Sequence, residues 1–484
     1  MYRSEILRKL RLALPEHCVI SDPARMKPYE TDGLTALKQT PWLVVLPENE
    51  AQVEAVVRIC HAGQVPVVPR GAGTGLSGGA RPVSDGVVLG LSRMKKVLDI
   101  DVANCTARVE PGVRNIVISQ QAARHGLYYA PDPSSQIACS IGGNVAENSG
   151  GVHCLKYGLT VNNVLGVRAL TMRGEWLNIG GQALDQDGYD LLSLMCGSEG
   201  MLAIVTEVTV RLLPDPPARR LLQAAFSDVA SAAASVAGII SAGIIPAGLE
   251  MMDRLAIQAA EDFVHAGYPR DAAAILLCEI DGVETALAED EQMIRSIMRE
   301  CGATDVRTAV DAAEQANMWK GRKAAFPAVG RISPDYYCMD GTIPRRHLAQ
   351  VLAEINRLSE EYGLSVANVF HAGDGNLHPL ILYDANKPGE LARTEEMGGR
   401  ILECCVVFGG TVTGEHGVGV EKLNQMCAQF SAHELQQFER LKEAFDPDRL
   451  LNPGKAIPTL TRCAEVGGMH VHGADIPFKH LDRF

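Results

Sequence analysis

The chain has 484 residues, which is too long for one ordinary hydrophobic core, so two or three domains are expected. Its 45 basic and 58 acidic residues give a net charge of −13, and the absence of a basic stripe argues against a nucleic-acid partner. The 13 cysteines include no C-x-x-C pair, so neither a disulfide framework nor an iron–sulfur cluster held by this chain alone is expected, and a reducing cytoplasm fits best.

The N-terminal segment, residues 1–41, is predicted to be a helical lead-in. Its first stretch, MYRSEILRKLRLALPEH, alternates apolar residues with Arg and Lys and lacks the uninterrupted apolar centre of a signal peptide. We expect a short helix that packs on the body of the protein, in preference to one that binds a membrane surface. Nowhere does an apolar run approach the roughly 18 residues of a membrane span.

The first predicted domain, residues 42–214, begins with alternating strands and a helix. The apolar runs 42–46 and 65–68 predict strands, and the apolar spacing within 49–62 predicts a helix. The segment PRGAGTGLSGGA at 69–80 follows. Its five glycines suit a loop whose backbone approaches a ligand closely, and the N–H groups of such a turn form an anion site for a pyrophosphate.

The glycine loop contains a G-x-G-x-x-G pattern at Gly73, Gly75 and Gly78, but a Rossmann fold needs a helix to start inside that motif. Here a turn follows, and then a strand-like run at 87–91. We therefore predict a nucleotide-phosphate loop between two strands, with an unliganded surface turn as the alternative.

The remainder of the first domain carries a second region rich in Gly, Ser and Asn. Its segments PDPSSQ at 131–136 and SIGGNVAENSGG at 140–151 predict more backbone lying against a ligand. Prolines 214, 216 and 217 mark the domain boundary. Around these motifs we predict a hairpin formed by residues 97–100 and 106–109 and a helix over residues 113–125. Two further strands are predicted over residues 164–172 and 202–212.

The second predicted domain, residues 218–444, reads as α+β. Ala-rich helical patterns at 227–242 and 284–300 alternate with apolar runs such as 274–280. The final segment, 445–484, turns polar and tight through NPGK at 452–455.

A second constellation lies in two glycine-flanked motifs, HAGDGNLH at 371–378 and GEHG at 414–417. A loop that feeds a strand can bring His371 and His378 together, and Glu415 could add a carboxylate. Two imidazoles and a carboxylate leave open positions on a divalent ion, as in a catalytic metal site. His416 would then be placed as a general base. Taken singly, each of these residues could equally be an ordinary core or surface group, and sequence cannot prove that the two loops meet.

The motifs in combination resemble the vanillyl-alcohol-oxidase superfamily. The first unit, with PRGAGTGLSGG, PDPSS, SIGGNVAENSGG and GSEG, is similar to its FAD-binding (PCMH-type) domain, and the second, with HAGDGNLH, GEHG and LNPGK, to the cap domain of its D-2-hydroxyacid dehydrogenases. The segment 322–346 and the tail RCAEVGGMHVHGADIPF at 462–478 add to the likeness. The resemblance implies an α+β fold with a two-lobed FAD-binding domain, an α+β cap with an antiparallel sheet, and a C-terminal segment that returns to the FAD domain.

The resemblance also implies where FAD would lie. Residues 70–78 would wrap the pyrophosphate, residues 131–135 and 140–151 would lie beside the flavin and ribityl chain, and Thr74 in place of the family's tethering His implies non-covalent FAD. The adenosine end would lie near Glu199, Ile204 and Val205, and the isoalloxazine near Asn452. The implied FAD contacts are Arg70, Gly71, Ala72, Gly73, Thr74, Gly75, Ser77, Gly78, Pro131, Asp132, Ser134, Ser135, Ser140, Gly142, Gly143, Asn144, Ala146, Asn148, Ser149, Gly150, Glu199, Ile204, Val205 and Asn452.

The implied reaction is oxidation of a short 2-hydroxy acid, with glycolate or D-lactate favoured because Cys338 aligns where relatives that take dicarboxylates have a Lys. A divalent ion such as Zn or Mn on His371, His378 and Glu415 would bind the substrate, His416 would take the hydroxyl proton, and hydride would pass to flavin N5. Arg322 resembles the family's carboxylate-binding Arg, although a surface Arg is the alternative.

The likeness further implies an iron–sulfur partner subunit and a second FAD-type subunit, with the membrane reached only through such partners. A free-standing D-lactate dehydrogenase and a non-catalytic flavoprotein subunit remain the alternative functions.

Overall fold

The computed structural model of the chain describes residues 3–183 and 188–458. Their contacts divide them into two units: unit 1 consists of residues 3–150, 158–215 and 415–458, and unit 2 of residues 151–157 and 216–414. This division differs from the predicted boundaries. Residues 415–444, predicted to belong to the cap, group with unit 1, and residues 151–157 group with unit 2. The tail motif at 462–478 lies outside the described residues.

Helices and strands alternate along the described chain. Up to residue 214 they are α1 (Arg3–Ala13), β1 (Val19–Ile20), α2 (Pro23–Met26), β2 (Leu43–Val45), α3 (Glu50–Gly63), β3 (Val67–Arg70), β4 (Val87–Gly90), β5 (Val97–Asp101), β6 (Thr106–Val109), α4 (Asn115–Ala122), β7 (Leu127–Tyr128), α5 (Ile141–Glu147), α6 (Cys154–Tyr157), α7 (Thr160–Asn163), β8 (Val164–Leu170), β9 (Trp176–Gly180), α8 (Leu191–Met195), β10 (Ile204–Arg211) and β11 (Leu213–Pro214). The remainder are β12 (Ala218–Phe226), α9 (Val229–Ser241), β13 (Gly248–Asp253), α10 (Arg254–Val264), β14 (Ala274–Gly282), α11 (Glu284–Glu300), β15 (Ala303–Thr308), α12 (Ala312–Val329), β16 (Asp335–Cys338), α13 (Leu348–Tyr362), β17 (Val366–Phe370), β18 (Pro379–Tyr383), α14 (Glu390–Val407), α15 (Leu423–Gln429) and α16 (Ala432–Phe445).

Unit 1 contains a four-stranded sheet in the order β1-β2-β4-β3. Strands β2, β4 and β3 run parallel, and their Val- and Leu-rich residues are buried, as expected of parallel strands covered on both faces. Helix α3 buries Val53, Val56, Val57 and Cys60 in the same core, at the spacing that predicted it. The N-terminal helix α1 adds Ile6 and Leu10 to this core, so its interpretation as a packed helix is confirmed.

Unit 1 also contains a five-stranded antiparallel sheet in the order β5-β6-β10-β8-β9, whose buried residues form a second hydrophobic cluster. Its predicted hairpin is present as β5 and β6, closed where the Asp101 carboxylate accepts the backbone N–H of Asn104 at 3.0 Å. Such side-chain-to-backbone bonds explain why Asp and Asn favour turns. The predicted helix 113–125 begins later, as α4, and ends in a 3₁₀ turn before Gly126.

Unit 2 is built on a seven-stranded sheet in the order β15-β12-β14-β13-β17-β18-β16. Every neighbouring pair is antiparallel, as predicted for the cap. Strand β14, an interior strand of this sheet, is buried almost throughout, which explains its continuous apolar run. Helix α11 has the bounds that the sequence pattern predicted.

The cysteines mostly act as small buried residues, as predicted. Free thiols are present at Cys18, Cys60, Cys105, Cys139, Cys154, Cys196, Cys278, Cys301, Cys338, Cys404 and Cys405, and most of them are buried. Cys427 is disulfide-bonded. Among residues 3–183 and 188–458, none of the helices combines the length and hydropathy needed to cross a membrane.

Candidate functional site

The glycine loop of unit 1 leaves β3 and enters β4, and the two strands lie side by side in parallel. Residues 71–86, all of which the structure describes, contain no helix. The segment is therefore a loop between two strands, as predicted, and lacks the helix of a Rossmann motif. Gly73 has φ +76°, and a Cβ there would come under 3.0 Å from the Arg70 guanidinium, so only glycine fits.

Arg70 fixes one side of this loop. Its guanidinium is largely buried, donates to the carbonyl of Thr31 at 2.8 Å and lies 5.7 Å from the ring centre of Tyr29. Burial lowers the pKa of Arg70 from its usual value, and the nearby Asp32 carboxylate opposes that shift. The positive charge is therefore held rigidly at the end of β3, where the phosphate loop begins.

The two small-residue motifs predicted to contact FAD meet within unit 1. The Ala72 N–H donates to Oγ of Ser140 at 3.2 Å, and a Cβ on Gly71 would overlap that same hydroxyl. The second motif is helical over α5, and Asn148, which follows the helix, has φ 52°. The side-chain oxygen of Asn148 accepts the Val161 N–H at 2.9 Å. Sequence did not predict this helix because its Gly, Ser and Asn content favours loops.

Other predicted cofactor residues make hydrogen bonds or apolar contacts within unit 1. The Asn115 amide donates to the carbonyl of Pro131 at 3.0 Å and to the side chain of Asn144 at 3.2 Å, so it joins segments 131–135 and 140–150. Ile204 is buried in the core around the four-stranded sheet. The Gln136 N–H donates to the Pro133 carbonyl at 2.8 Å, which closes the turn that contains Ser134, and the Ser135 carbonyl accepts the N–H groups of residues 138 and 139, both at 2.8 Å.

Asn452 lies in the left-handed region at φ 41° and is buried. Its side-chain amide donates to the carbonyl of Gly79 at 3.0 Å and to that of Glu199 at 2.7 Å. Lys455 donates in turn to the Asn452 side chain at 3.0 Å, and burial lowers the pKa of Lys455 to about 8. Asn452 thus joins the glycine loop, the GSEG turn and the 452–455 segment of unit 1.

Two buried carboxylates face the turn that follows the GEHG motif. Glu199 accepts the N–H groups of Val418 and Gly419, each at 2.7 Å. Burial raises the pKa of Glu199 against the effect of these two donors. Burial, reinforced by the charges of Glu199 and Asp32, raises the pKa of Glu147 well above its usual range. Sequence reasoning placed Glu199 near the adenosine end and missed Glu147.

In unit 2, the motif HAGDGNLH connects β17 to β18 and brings its two histidines together. The rings of His371 and His378 are 5.1 Å apart between centroids and nearly perpendicular, and both are buried. The Asn376 N–H donates to the Asp374 carboxylate at 3.1 Å, and Gly375 has φ +82°. The loop therefore presents a preformed pair of imidazoles, with ring nitrogens within 4.8 Å of each other.

Glu250, in the middle of β13, links the predicted metal and substrate residues. Its Oε1 lies 2.7 Å from Nδ1 of His371, and its Oε2 accepts Nε of Arg322 at 2.8 Å. All three side chains are at most 4% exposed. Burial would raise the pKa of Glu250, but the charges of His371 and Arg322 outweigh it and hold the pKa below its usual value.

This link was missed at the level of sequence, although a lone carboxylate in the apolar run GLEMM at 248–252 was a usable signal. An acid on Nδ1 of a histidine fixes the tautomer and the orientation of the ring, and Glu250 is placed to do so for His371. The predicted surface alternative for Arg322 is wrong, because that side chain is 1% exposed. A second Arg322 nitrogen, Nη2, lies 2.7 Å from Glu250.

Asp340 ties the start of the GEHG motif to the histidine loop within unit 2. Its carboxylate accepts the Thr413 hydroxyl at 2.6 Å and the Gly414 N–H at 3.0 Å, and it lies 3.8 Å from Nδ1 of His378. A Cβ on Gly414 would come under 3.0 Å from the Asn376 amide. The motifs predicted to meet therefore do so at Gly414.

Glu415 and His416 follow directly and belong to unit 1 by their contacts. A trans peptide separates neighbouring Cα atoms by about 3.8 Å, so the Glu415 backbone lies one residue step from the Gly414 position just described. The side chains of Glu415 and His416 lie 3.8 Å apart at their nearest N and O atoms.

Two protein-family descriptions match the chain. Residues 41–180 match "FAD binding domain", and residues 215–456 match "FAD linked oxidases, C-terminal domain". The chain is similar to the glycolate oxidase subunit GlcD of Escherichia coli (strain K12), with 62% identity over 100% of this chain and 97% of the relative. A D-lactate dehydrogenase of Anaerostipes hadrus is 31% identical over 93% of this chain and 97% of its own.

Solved structures show the same fold. p-Cresol methylhydroxylase with substrate bound aligns with a TM-score of 0.80 at 18% identity, covering 95% of this chain and 97% of that one. The predicted fold class, an FAD-binding domain of the vanillyl-alcohol-oxidase type with an α+β cap, is confirmed. The predicted likeness to the D-2-hydroxyacid dehydrogenases is confirmed as well, by the glycolate oxidase subunit and the D-lactate dehydrogenase to which the chain is similar.

Proposed function

Since the chain belongs to the FAD-linked oxidases, we propose that it oxidises a short 2-hydroxy acid, glycolate or D-lactate, to the 2-oxo acid. For glycolate the product is glyoxylate. The observation that carries this proposal is the buried His371–Glu250–Arg322 arrangement, because it places an oriented imidazole and a guanidinium on one carboxylate. An alcohol and a carboxylate on adjacent carbons match such a pair of groups.

The glycine loop and Ser140 segment fit FAD. A tight cradle formed by Gly71, Gly73 and Ser140 leaves no room for side chains, and the buried Ser77 hydroxyl has no hydrogen-bond partner among the described residues. Because Thr74 occupies the loop position where relatives attach the flavin to His, we propose that FAD is bound without a covalent bond. When bound, FAD supplies the hydride acceptor, at flavin N5.

The histidine pair fits a divalent ion. With Nδ1 of His371 directed at Glu250, Nε2 would be its coordinating atom, and His378 and Glu415 would complete the ligand set. Nitrogen and oxygen donors of this kind suit Zn or Mn. Such an ion supplies a Lewis acid that lowers the pKa of the substrate hydroxyl.

The remaining chemistry belongs to side chains of this chain. Arg322 would hold the substrate carboxylate through the part of its fork that does not face Glu250. His416 would accept the hydroxyl proton as the Cα hydrogen leaves. Phe326, whose ring centre is 6.1 Å from that of His378, offers an apolar wall on that side. This environment favours a small, uncharged substituent on Cα.

Cys338 supports the same substrate class. It lies at the end of β16, is 4% exposed and stands where dicarboxylate-oxidising relatives are expected to carry a Lys. Without a cation there, a second carboxylate on the substrate would be buried unpaired, which is unfavourable.

We propose that electrons leave through partner subunits, because the similar Escherichia coli protein is itself named a subunit. The partners would be an iron–sulfur subunit and a second FAD-type subunit. The chain would work in the cytoplasm and approach the inner membrane only through them. A pull-down of the tagged chain should recover a cluster-bearing protein, and its absence would contradict this part of the proposal.

A free-standing D-lactate dehydrogenase is the second candidate, supported by the similar enzyme of Anaerostipes hadrus. A non-catalytic flavoprotein subunit is less well supported, because the HAGDGNLH and GEHG motifs are both intact here.

Anaerobic mixing of the purified flavoprotein with glycolate, D-lactate or L-lactate tests the proposal. We expect the flavin absorbance to bleach with glycolate and D-lactate but not with L-lactate. His416→Ala should keep FAD and lose at least about 100-fold in the bleaching rate, since general bases contribute about 10²–10⁴-fold. His433→Ala, at an exposed position of α16, is the matched control. Dialysis against a chelator should abolish turnover, and unchanged turnover would remove the metal from the mechanism.

A further inference from the structure

The GSEG turn holds its glutamate in a costly backbone conformation. Glu199 has φ 50°, between Gly197 at +86° and Gly200 at +65°. A residue with a Cβ seldom adopts the left-handed region, and such strain persists where the surrounding structure requires it. Here the Glu199 N–H donates to the carbonyl of Ala146 at 2.8 Å, and its own carbonyl accepts the Asn452 amide at 2.7 Å.

The Glu199 side chain is 4% exposed, and its two oxygens are directed at one short stretch of backbone. Oε1 accepts the N–H of Val418 and Oε2 that of Gly419, both at 2.7 Å. Charge-assisted bonds of this length are among the stronger hydrogen bonds in proteins. A carboxylate that accepts two consecutive N–H groups fixes the direction of that peptide segment.

The stretch it holds is confined from other sides as well. Gly417 and Gly419 have φ +79° and +54°, and a Cβ on Gly417 would come under 3.0 Å from Glu147. The carbonyl of Ser77 accepts the N–H groups of residues 420 and 421 at 3.0 and 3.2 Å. Lys422, which is fully buried, donates to the Gly417 carbonyl at 3.0 Å. Every one of these contacts lies within unit 1.

His416 precedes Gly417 directly, so the direction of its side chain depends on this clamp. We propose that Glu199 is a positioning residue, whose carboxylate fixes the 417–419 turn and thereby aims the His416 imidazole. The inference rests on the proposed role of His416 as the base. The two hydrogen bonds give the Glu199 side chain this role in addition to the predicted place of the residue near the adenosine end of FAD.

Glu199→Gln is the central test, because glutamine keeps the shape but offers one acceptor and sets an NH₂ group against an N–H. We expect E199Q to bind FAD at the parent stoichiometry and to slow anaerobic flavin reduction by glycolate or D-lactate, whichever bleaches the parent, about ten- to hundredfold, as a displacement near 1 Å can do. The pH profile of reduction should shift, since the base is misaligned. Glu110→Gln is the matched control, because Glu110 is a buried carboxylate of unit 1 that accepts the Lys96 N–H at 2.7 Å.

A double-mutant cycle separates this inference from the proposed function. In a His416→Ala background, E199Q should slow flavin reduction less than about twofold, because the effects of substitutions at residues that act as one unit do not add. If E199Q slows flavin reduction as strongly in His416→Ala as it does in the parent, the positioning role is overturned. Loss of FAD affinity with normal reduction at saturating FAD also overturns the positioning role and leaves Glu199 with a role in FAD binding alone.

If His416→Ala alone reduces flavin normally, the base assignment fails whatever E199Q does. Should E199Q not fold, Glu199→Asp keeps both oxygens and shortens the reach by one methylene. We expect E199D to retain FAD and to reduce flavin at a rate between those of the parent and His416→Ala. A rate equal to that of the parent would contradict the inference.

Discussion

Replacing Glu250 by Gln removes the negative charge from the centre of a buried three-residue arrangement in unit 2. The Arg322 and Glu250 side chains are each 1% exposed and are paired at 2.7 Å. Removing one partner of a buried ion pair leaves the other charge uncompensated, which costs about 3–5 kcal/mol. The bond to Nδ1 of His371, at 2.7 Å, is weakened in the same step.

The matched control is Glu279→Gln, on the neighbouring strand β14. Glu279 is also buried, but it accepts the neutral indole N–H of Trp319 at 2.6 Å and lies 3.2 Å from the His153 ring. A hydrogen bond to a charged group contributes about 1.5–3 kcal/mol, and glutamine keeps an acceptor for the indole N–H, so E279Q should cost less free energy of unfolding than E250Q.

Urea unfolding of the parent and both variants, at one pH and one FAD concentration, measures the free energy of unfolding. A parallel titration with Zn after chelator dialysis measures metal affinity, and E250Q should weaken it about 10- to 100-fold, as loss of an outer-sphere acid does. If E250Q unfolds within about 1 kcal/mol of the parent and binds Zn equally well, the linking role of Glu250 is refuted.

Three further outcomes are expected. Acid precipitation should release all the flavin into the supernatant, because Thr74 cannot form the His linkage, and colour kept in the pellet would contradict this. Glu147, whose pKa is raised well above 4.5 by burial and by the Glu199 charge, binds its proton more tightly when folded, so the free energy of unfolding falls as pH rises above 4.5. E147Q has no proton to lose at this position, so the difference in melting temperature between E147Q and the parent should change in favour of E147Q as the pH rises from about 5 to about 8. A constant difference over that range would contradict the raised pKa of Glu147. Gly73→Ala should lower the free energy of unfolding by about 1–3 kcal/mol and reduce FAD occupancy, because the alanine would combine φ +76° with a clash on Arg70. The control is Gly126→Ala, where φ is +68° and a Cβ would meet nothing within 4 Å. It should lose only the free energy of the backbone strain and leave FAD bound.

Local signals predicted much of unit 1. The alternation of apolar and glycine-rich stretches was enough to place β3, the loop and β4, because a strand and a turn each leave a short-range pattern. Helix α5 was not predicted, since its stability comes from burial of Ile141 and Val145 against the rest of the unit rather than from helix propensity.

The two histidines of the candidate site could be picked out from the sequence, whereas the carboxylates that contact them could not. His371 and His378 stood out because they share a short loop between glycines, whereas Glu250 and Asp340 are separated from them by long stretches of chain and carry no local motif. Pairing of β13 with β17 and of β16 with β18 brings these carboxylates to the histidines. Long-range strand pairing is the kind of information that a single sequence withholds.

Two backbone hydrogen bonds join β3 to residues 450–452, and we expect the FAD-binding unit to finish folding only after they have formed. Val67 donates to the carbonyl of Leu450 at 2.8 Å and accepts the N–H of Asn452 at 2.7 Å. Ribosomes add about 5–20 residues per second, so this sheet edge waits tens of seconds for a partner made about 380 residues later. An unpaired Val-rich edge invites association with other chains. Shortened versions that stop before residue 450 should therefore accumulate as aggregates, while the whole chain seals the edge with its own late-made segment.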